Sequence, residues 1–169
     1  MRGLSVYEIS YRGSIMKILA DGDTCPVIAE TGFLAWAYGV PMTILADTTH
    51  NIVSDYSEVI NVSVGAEAMD VALIKRCRRG DIVVTQDAGL AAMAIGKRGY
   101  VINNGGWQYT DKNISGILNN KQLAKRKSRT YKQTKRFNRG LEALLRERIL
   151  EQEELYWAAL GEQYLREMS

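Results

Sequence analysis

The sequence predicts an α/β fold: a three-layer domain with a mainly parallel sheet of about five strands flanked by helices, followed by a C-terminal helical extension. Three observations carry this expectation. Short apolar runs alternate with windows whose apolar residues recur at helical spacing, the pattern of parallel strands covered on both faces. Most of these runs end at an acidic or amide residue. The chain has 169 residues, of which 46% are apolar and 24% charged, enough for one domain with an appendage. That composition excludes general disorder, a collagen-like fibre and a disulfide-scaffold miniprotein.

Residues 16–20, MKILA, read as a buried strand ending at Asp21. Pro26 suits the first turn of a helix, where its missing N–H costs nothing. Val27 to Tyr38 then has helical spacing, and Gly39 is the expected stop. Residues 42–46, MTILA, form a second apolar run ending at Asp47. Residues 58–64, EVINVSV, alternate and are β-branched, which predicts a third strand. Glu67 to Cys77 reads as a helix with Met69, Leu73 and Ile74 on one face. Arg78-Arg79-Gly80-Asp81 is a turn, and residues 82–85, IVVT, are a fourth strand ending near Asp87. Gly89 to Ile95 is helical. Tyr100 to Ile102 is a fifth strand ending at Asn103 and Asn104.

The organisation follows. Residues 1–15 form an N-terminal extension, residues 16–120 the α/β domain, and residues 121–169 a basic segment with an amphipathic helix expected to pack on the same domain. Residues 121–139 hold nine Lys or Arg and no Asp or Glu. In residues 141–168, Leu141, Leu144, Leu145, Ile149, Leu155, Tyr156, Leu160 and Tyr164 recur at helical spacing, predicting one long helix or a helix pair. Its late, aromatic-rich face also suits a homodimer contact. The longest apolar stretch, Phe33 to Ala46, is broken by Gly39 and Pro41 and is too short for a bilayer, which needs ~20 residues. The N-terminus lacks the pattern of a secretory signal. Cys25 and Cys77 make no C-x-x-C pair, so reduced thiols in a cytoplasmic protein are expected.

In open parallel sheets, ligands bind outside the carboxyl ends of the strands. The sequence places Asp21 and Asp23 after the first strand and Asp47 after the second. Glu67 and Asp70 follow the third, and Thr85 and Asp87 the fourth. Carboxylates gathered on one edge repel each other unless a cation sits between them. Mg²⁺ or Mn²⁺ prefers such oxygen ligands and can activate water against a phosphodiester. The candidate catalytic residues are Asp21, Asp23, Asp70 and Asp87, and the candidate metal ligands are Asp21, Glu67, Asp70 and Asp87. Each strand-end aspartate also suits a cap or turn. Asp23 could cap the helix near Pro26. Asp47, before Thr48-Thr49-His50-Asn51, reads as turn chemistry. Asp81 precedes its strand and falls on the opposite edge.

MKILADGDTCPV, GAEAMDVALI and GDIVVTQDAGLA together resemble the bacterial YaiI/YqxD family, itself similar to PIN-like (or NYN-like) nuclease folds, from Met16 to about Leu145. The resemblance implies a PIN-like domain with a metal-dependent nuclease site on Asp21, Asp23, Glu67, Asp70 and Asp87. This chain has Glu67 where many relatives have Asp. It has Asn103-Asn104-Gly105-Gly106 in place of a Pro-Arg-Gly-like turn, and Ser128-Arg129 in place of a Gly-Pro step.

Other features compete. Cys25 at a helix start could be a low-pKa thiol, but His50 is the one histidine and lies far off in a polar loop, so packing behind Pro26 is the preferred reading. Asp21-Gly22-Asp23-Thr24 also resembles the haloacid dehalogenase phosphatase motif, with Asp21 as nucleophile and Asp23 as acid/base. A non-catalytic nucleic-acid or protein-binding module on the same fold is the third reading. Thr85, Lys125, Arg126, Arg129, Lys132 and Arg136 are the candidate substrate contacts, with Tyr131 and Phe137 interleaved. Basic side chains neutralise phosphates and aromatics stack on bases, so the expected partner is nucleic acid, RNA before DNA. The net charge of +3 hides this division: setting aside the nine cations of 121–139 leaves 13 basic against 19 acidic residues.

Overall fold

A parallel strand covered on both faces is expected to be apolar, and the central strand here is apolar up to its last residue, Asp21. The computed structural model describes residues 16–120 and 131–169. The first strand, β1 (Ile18–Asp21), is buried at all four positions. It is followed by α1 (Ile28–Tyr38), β2 (Met42–Asp47), β3 (Glu58–Val62), α2 (Ala66–Arg76), β4 (Ile82–Val84), α3 (Ala88–Gly96) and β5 (Tyr100–Ile102). Then come β6 (Gln108–Tyr109), α4 (Ile114–Asn119) and α5 (Tyr131–Met168). The sheet order is β3-β2-β1-β4-β5-β6. The first five strands are parallel and β6 pairs antiparallel with β5.

Alternation along β1 divides the core in two. Ile18 and Ala20 face a layer that includes Val27, Leu34 and Ala35 near and within α1, and Phe137, Leu141, Leu144 and Leu145 of α5. Leu19 faces the opposite layer, with Met69 and Leu73 of α2, Leu90, Ala91 and Ala94 of α3, and Ile114 of α4. The result is three layers, helices on both faces of the sheet, as expected. The short helix α4 and the strand β6 were not expected. Both are brief, and the two residues of β6 are held by pairing with Val101 and Ile102.

The chain moves outward from β1 through β2 to β3, then returns to start β4 on the other side of β1. The carboxyl ends of β1 and β4 therefore flank a topological switch point, where a crevice opens in such sheets. Gly39 ends α1 at φ +66°, donating its N–H back to the last turn, as a C-terminal glycine does.

The extension is one continuous helix rather than a pair. It crosses the loop after β5 backbone to backbone: a Cβ on Gly140 would sit 2.1 Å from the Gly106 carbonyl oxygen, and one on Gly106 (φ +83°) 2.2 Å from that of Arg136. Further along, Arg148 is buried, with its guanidinium 4.0 Å from the Tyr100 ring centre and donating to the Tyr100 hydroxyl at 2.6 Å. It also pairs with Glu151. Thus α5 starts at the carboxyl edge, beside the end of β5, and runs to the amino edge. Packing on the sheet reaches Ile149. From Leu150 onward the side chains are exposed, apart from half-buried Gln152, Glu153 and Tyr156.

The Gly106–Gly140 crossing leaves no room for a methyl group against main-chain atoms. Gly140→Ala is expected to destabilise the fold by about 2–3 kcal/mol through overpacking. Gly116→Ala, within α4 with nothing within 4 Å, should stabilise it by roughly 0.5–1 kcal/mol. Urea denaturation of both variants checks the contrast.

Candidate functional site

The site is built around Asp21, the last residue of β1 and 3% exposed. Its carboxylate accepts from the Asp23 and Thr24 amides at 3.2 and 3.4 Å, and from the Thr24 hydroxyl at 2.5 Å. The fully buried Thr85 hydroxyl, just beyond β4, donates to it at 3.3 Å across the switch point. Thr85 also accepts from the Asp87 amide at 3.0 Å. Its contacts are therefore with Asp21 and the start of the next loop. Asp87 caps α3, accepting from the Leu90 amide at 2.8 Å. The capping reading of a strand-end aspartate holds here, while its side chain stays exposed at the same edge.

Glu67 lies exposed in the first turn of α2, and half-buried Asp70 follows one turn on. Burial pushes the Asp70 carboxyl above its usual range, and the charges of Asp87, Asp21 and Glu67 push it further. Carboxylates brought from β1, α2 and the cap of α3 thus act on Asp70. They follow β1, β3 and β4 at the carboxyl edge, but among the described residues no three of their ligand atoms gather within 4.8 Å of one another. Asp81 lies on the opposite edge, buried and paired with Lys17 at 2.8 Å.

A tighter group forms beside this set. The Asp23 carboxylate accepts the Asp47 amide at 3.0 Å, tying the loop after β1 to the end of β2. Asp47 accepts from the Thr49 amide at 2.8 Å and from the Thr49 hydroxyl, which is the turn chemistry expected of it. That turn swings His50 inward. Its Nδ1 lies 2.9 Å from Asp47 Oδ1 and 3.1 Å from Asp23 Oδ1. Among the described residues, Asp23, Asp47 and His50 form a group whose potential metal-ligand atoms all lie within 4.8 Å of one another. The sequence reading left this group unassembled, taking Asp47 as a turn and His50 as a surface histidine. The available signal was the three-residue spacing from Asp47 to His50, which lets one aspartate both form the turn and meet the ring.

The electrostatics of the group follow from these contacts. Hydrogen bonds from Thr49 and then His50 bring the Asp47 carboxyl down to about 2. The hydrogen bond to Asp47 raises the His50 imidazole above 6.5, opposed by partial burial. Burial raises Asp23, with the amide of Asp47 working against it. The His50 ring therefore sits between two carboxylates, which favour its protonated form. Two carboxylate oxygens and an imidazole nitrogen also suit a Mn²⁺-type ion once that proton leaves.

Cys25 is buried in the layer under α1, in keeping with packing behind Pro26. Lys132 and Arg136 are exposed on the first turns of α5, as are Lys135 and Arg139. The Gly106 crossing sets this basic start on the same edge as the carboxylates, two strand spacings or ~10 Å from β1. Lys125, Arg126 and Arg129 lie outside the described residues.

Fold and site define a doubly wound α/β protein with acidic side chains at its switch point. The sequence model of the family described as "Uncharacterized BCR, YaiI/YqxD family" matches residues 19–151. The chain belongs to that family. It is 45% identical to a UPF0178 protein of Clostridium acetobutylicum over 114 residues, covering 68% of this chain and 77% of the relative. A UPF0178 protein of Natranaerobius thermophilus is 39% identical over 125 residues, covering 72% and 85%. One of Alkaliphilus oremlandii is 38% identical over 117 residues, covering 69% and 76%. No solved structure matches the chain. No helix among the described residues is long and apolar enough to cross a membrane.

Two predictions follow the charges. His50, followed by NMR, should titrate above 6.5, and Asp47→Asn should lower that midpoint. The stability drawn from the raised His50 is complete below pH 6.5 and is lost as pH rises through the folded value. Asp70 works in the opposite sense. An acid raised above 3.8 by folding destabilises its protein once ionised. Asp70→Asn should therefore raise the urea midpoint at neutral pH, and the gain should vanish below pH 3.8.

Proposed function

We propose that the protein is a metal-dependent hydrolase of phosphodiester bonds, with RNA its preferred substrate over DNA. The observation that carries this reading is the placement of Asp21, Glu67, Asp70 and Asp87 at the carboxyl edge, where the charges of the other three add to burial in raising the Asp70 carboxyl, with the basic start of α5 on the same edge. The PIN-like resemblance of the sequence supports it. Asp21, Glu67, Asp70 and Asp87 would hold Mg²⁺ or Mn²⁺, which supplies an activated water and neutralises charge on the phosphate. Thr85 is a positioning residue, fixing the Asp21 carboxylate. Asp23 orients the loop after β1 through the Asp47 amide. Lys132 and Arg136, with Lys125, Arg126 and Arg129, would bind the phosphate backbone.

A second arrangement has its own observation. The ligand atoms of Asp23, Asp47 and His50 are close enough to share one ion. The haloacid dehalogenase reading has less support, because both oxygens of the supposed nucleophile Asp21 accept hydrogen bonds.

The test is cleavage of labelled single-stranded RNA in Mn²⁺, with isothermal titration of Mn²⁺ in parallel. Asp21→Asn is expected to abolish cleavage, losing more than the ~10–100-fold typical of an outer-shell residue. If His50→Ala and Asp47→Asn abolish Mn²⁺ binding while Asp21→Asn leaves cleavage intact, the second arrangement is the working one. RNA binding without cleavage in any metal identifies a non-catalytic module. Turnover of a small phosphomonoester in place of RNA identifies the phosphatase.

A further inference from the structure

An exposed tryptophan stands at the carboxyl edge, next to the basic start of α5. Trp107 lies just past the turn that follows β5 and is 44% exposed. The other exposed large aromatics with described side chains, Phe33, Trp36, Trp157 and Tyr164, lie within α1 and the outer half of α5. A single exposed apolar side chain needs no explanation by itself. What sets Trp107 apart is how its ring is held. It packs on the buried Tyr109 ring at 4.6 Å between centroids, tilted by 59°. Tyr109 is itself fixed: its hydroxyl donates to the Gln86 carbonyl oxygen at 3.1 Å and accepts from the Asn103 side-chain amide at 2.9 Å. The Asn103 backbone N–H donates to the Trp107 carbonyl oxygen at 2.9 Å and closes the turn. Gly105 leaves the indole its room, since a Cβ there would meet Trp107 Cδ1 and Nε1 at 3.1 Å. A ring placed this way has little freedom left to lose when a ligand packs on it.

The surroundings of Trp107 indicate the ligand. Gly106, its neighbour in the chain, crosses the α5 backbone at Arg136. Lys132, Arg136 and Arg139 are exposed on those same turns. On the other side, Gln86 holds the Tyr109 hydroxyl and precedes Asp87. Burial raises the Tyr109 phenol above its usual range, and the charge of Asp87 pushes it further. β6 lies three strand spacings, ~14 Å, from β1, so the ring stands beside the acidic set and not within it. Cations neutralise phosphates, and an aromatic face stacks on a nucleobase. We propose that Trp107 is the stacking platform for an unpaired base, seating a nucleotide that flanks the acidic strand ends while the start of α5 holds the neighbouring phosphates. The inference rests on the nucleic-acid reading of this edge. Phe137, the aromatic that the sequence interleaves with the basic run, is fully buried in the core and does not fill this role. A paired base is already stacked inside its duplex, so the platform acts on single strands alone.

Fluorescence anisotropy of the full chain with a labelled mixed-sequence RNA, single-stranded or annealed to its complement, tests the proposal. EDTA is present, so that binding is read apart from metal-dependent cleavage. Trp107→Ala is expected to weaken single-strand binding about 5–150-fold, the range for losing one stacked base, and to leave duplex binding as it was. Trp107→Tyr should recover most of the loss. Arg136→Ala should weaken both RNAs and reduce the single-strand salt slope by ~0.7, a slope that Trp107→Ala does not move. Equal single-strand affinity of wild type and Trp107→Ala overturns the platform. So does an equal loss on single strand and duplex, or a wild type that binds no single strand. Cleavage in Mn²⁺ is then measured separately. If Trp107 governs single-strand binding but the wild type cleaves RNA in no metal, the platform stands and the hydrolase reading falls. If the wild type cleaves and Trp107→Ala binds single strands as tightly, the platform falls and the hydrolase reading stands.

Discussion

The geometry of the carboxyl edge depends on the hydrogen bonds that hold the buried side chain of Asp21. A carboxylate at the end of a central strand has left bulk water and must be supplied with donors. The amides of Asp23 and Thr24 do this only if the chain turns sharply after β1. Gly22 permits the turn, since a Cβ there would meet Ile52 at 2.7 Å and the Leu45 carbonyl oxygen at 2.9 Å. The turn delivers Asp23 to the Asp47 amide, and Asp47 in turn gathers Thr49 and His50. Thr85 closes the circuit from β4. Local hydrogen bonding thus places side chains from both sides of the switch point.

Crowding like charges on one edge has to be compensated, and the protein does so in two ways. Around Asp23 and Asp47 the His50 ring, whose protonated form the two carboxylates favour, lies within hydrogen-bond reach of both. Around Asp70 no cation contributes among the described residues, and burial and neighbouring carboxylates push the carboxyl toward its neutral form. A carboxyl raised by burial and by neighbouring charges is a familiar sign of a working site. The difference between the two clusters is chemical. The first includes a titratable ring beside its carboxylates, and the second gathers carboxylates whose charges raise Asp70. That is why the second is assigned the metal in the hydrolytic reading, despite the closer spacing of the first.

Much of the edge was legible in the sequence because local rules and tertiary structure agree there. The strands ending at Asp21 and Asp47, the stop at Gly39 and the strand Tyr100–Ile102 follow from apolar runs and turn residues. Other features arise from contacts that no local pattern encodes. The pair Gln108–Tyr109 becomes a strand through hydrogen bonds to β5, not through its own composition. Asp23 and His50 are far apart in sequence and meet because a turn at Asp47 brings the ring back. Arg148 falls on a core-facing position where spacing calls for an apolar residue. It is accommodated because Tyr100 offers both a ring face and a hydroxyl.

The long helix joins these two kinds of information. Its inner half is fixed to the domain at both edges of the sheet, by main-chain contact at Gly106 and Gly140 and by Arg148 on Tyr100. Those anchors determine where its basic first turns lie relative to the acidic strand ends. They also determine the direction in which its acidic, aromatic outer half leaves the domain. A helix is rigid over a few turns, so one set of anchors orients both ends. The nearly neutral total charge of the chain conceals that polarity. A basic start at the carboxyl edge and an acidic arm leaving the opposite edge follow from the same 38-residue element.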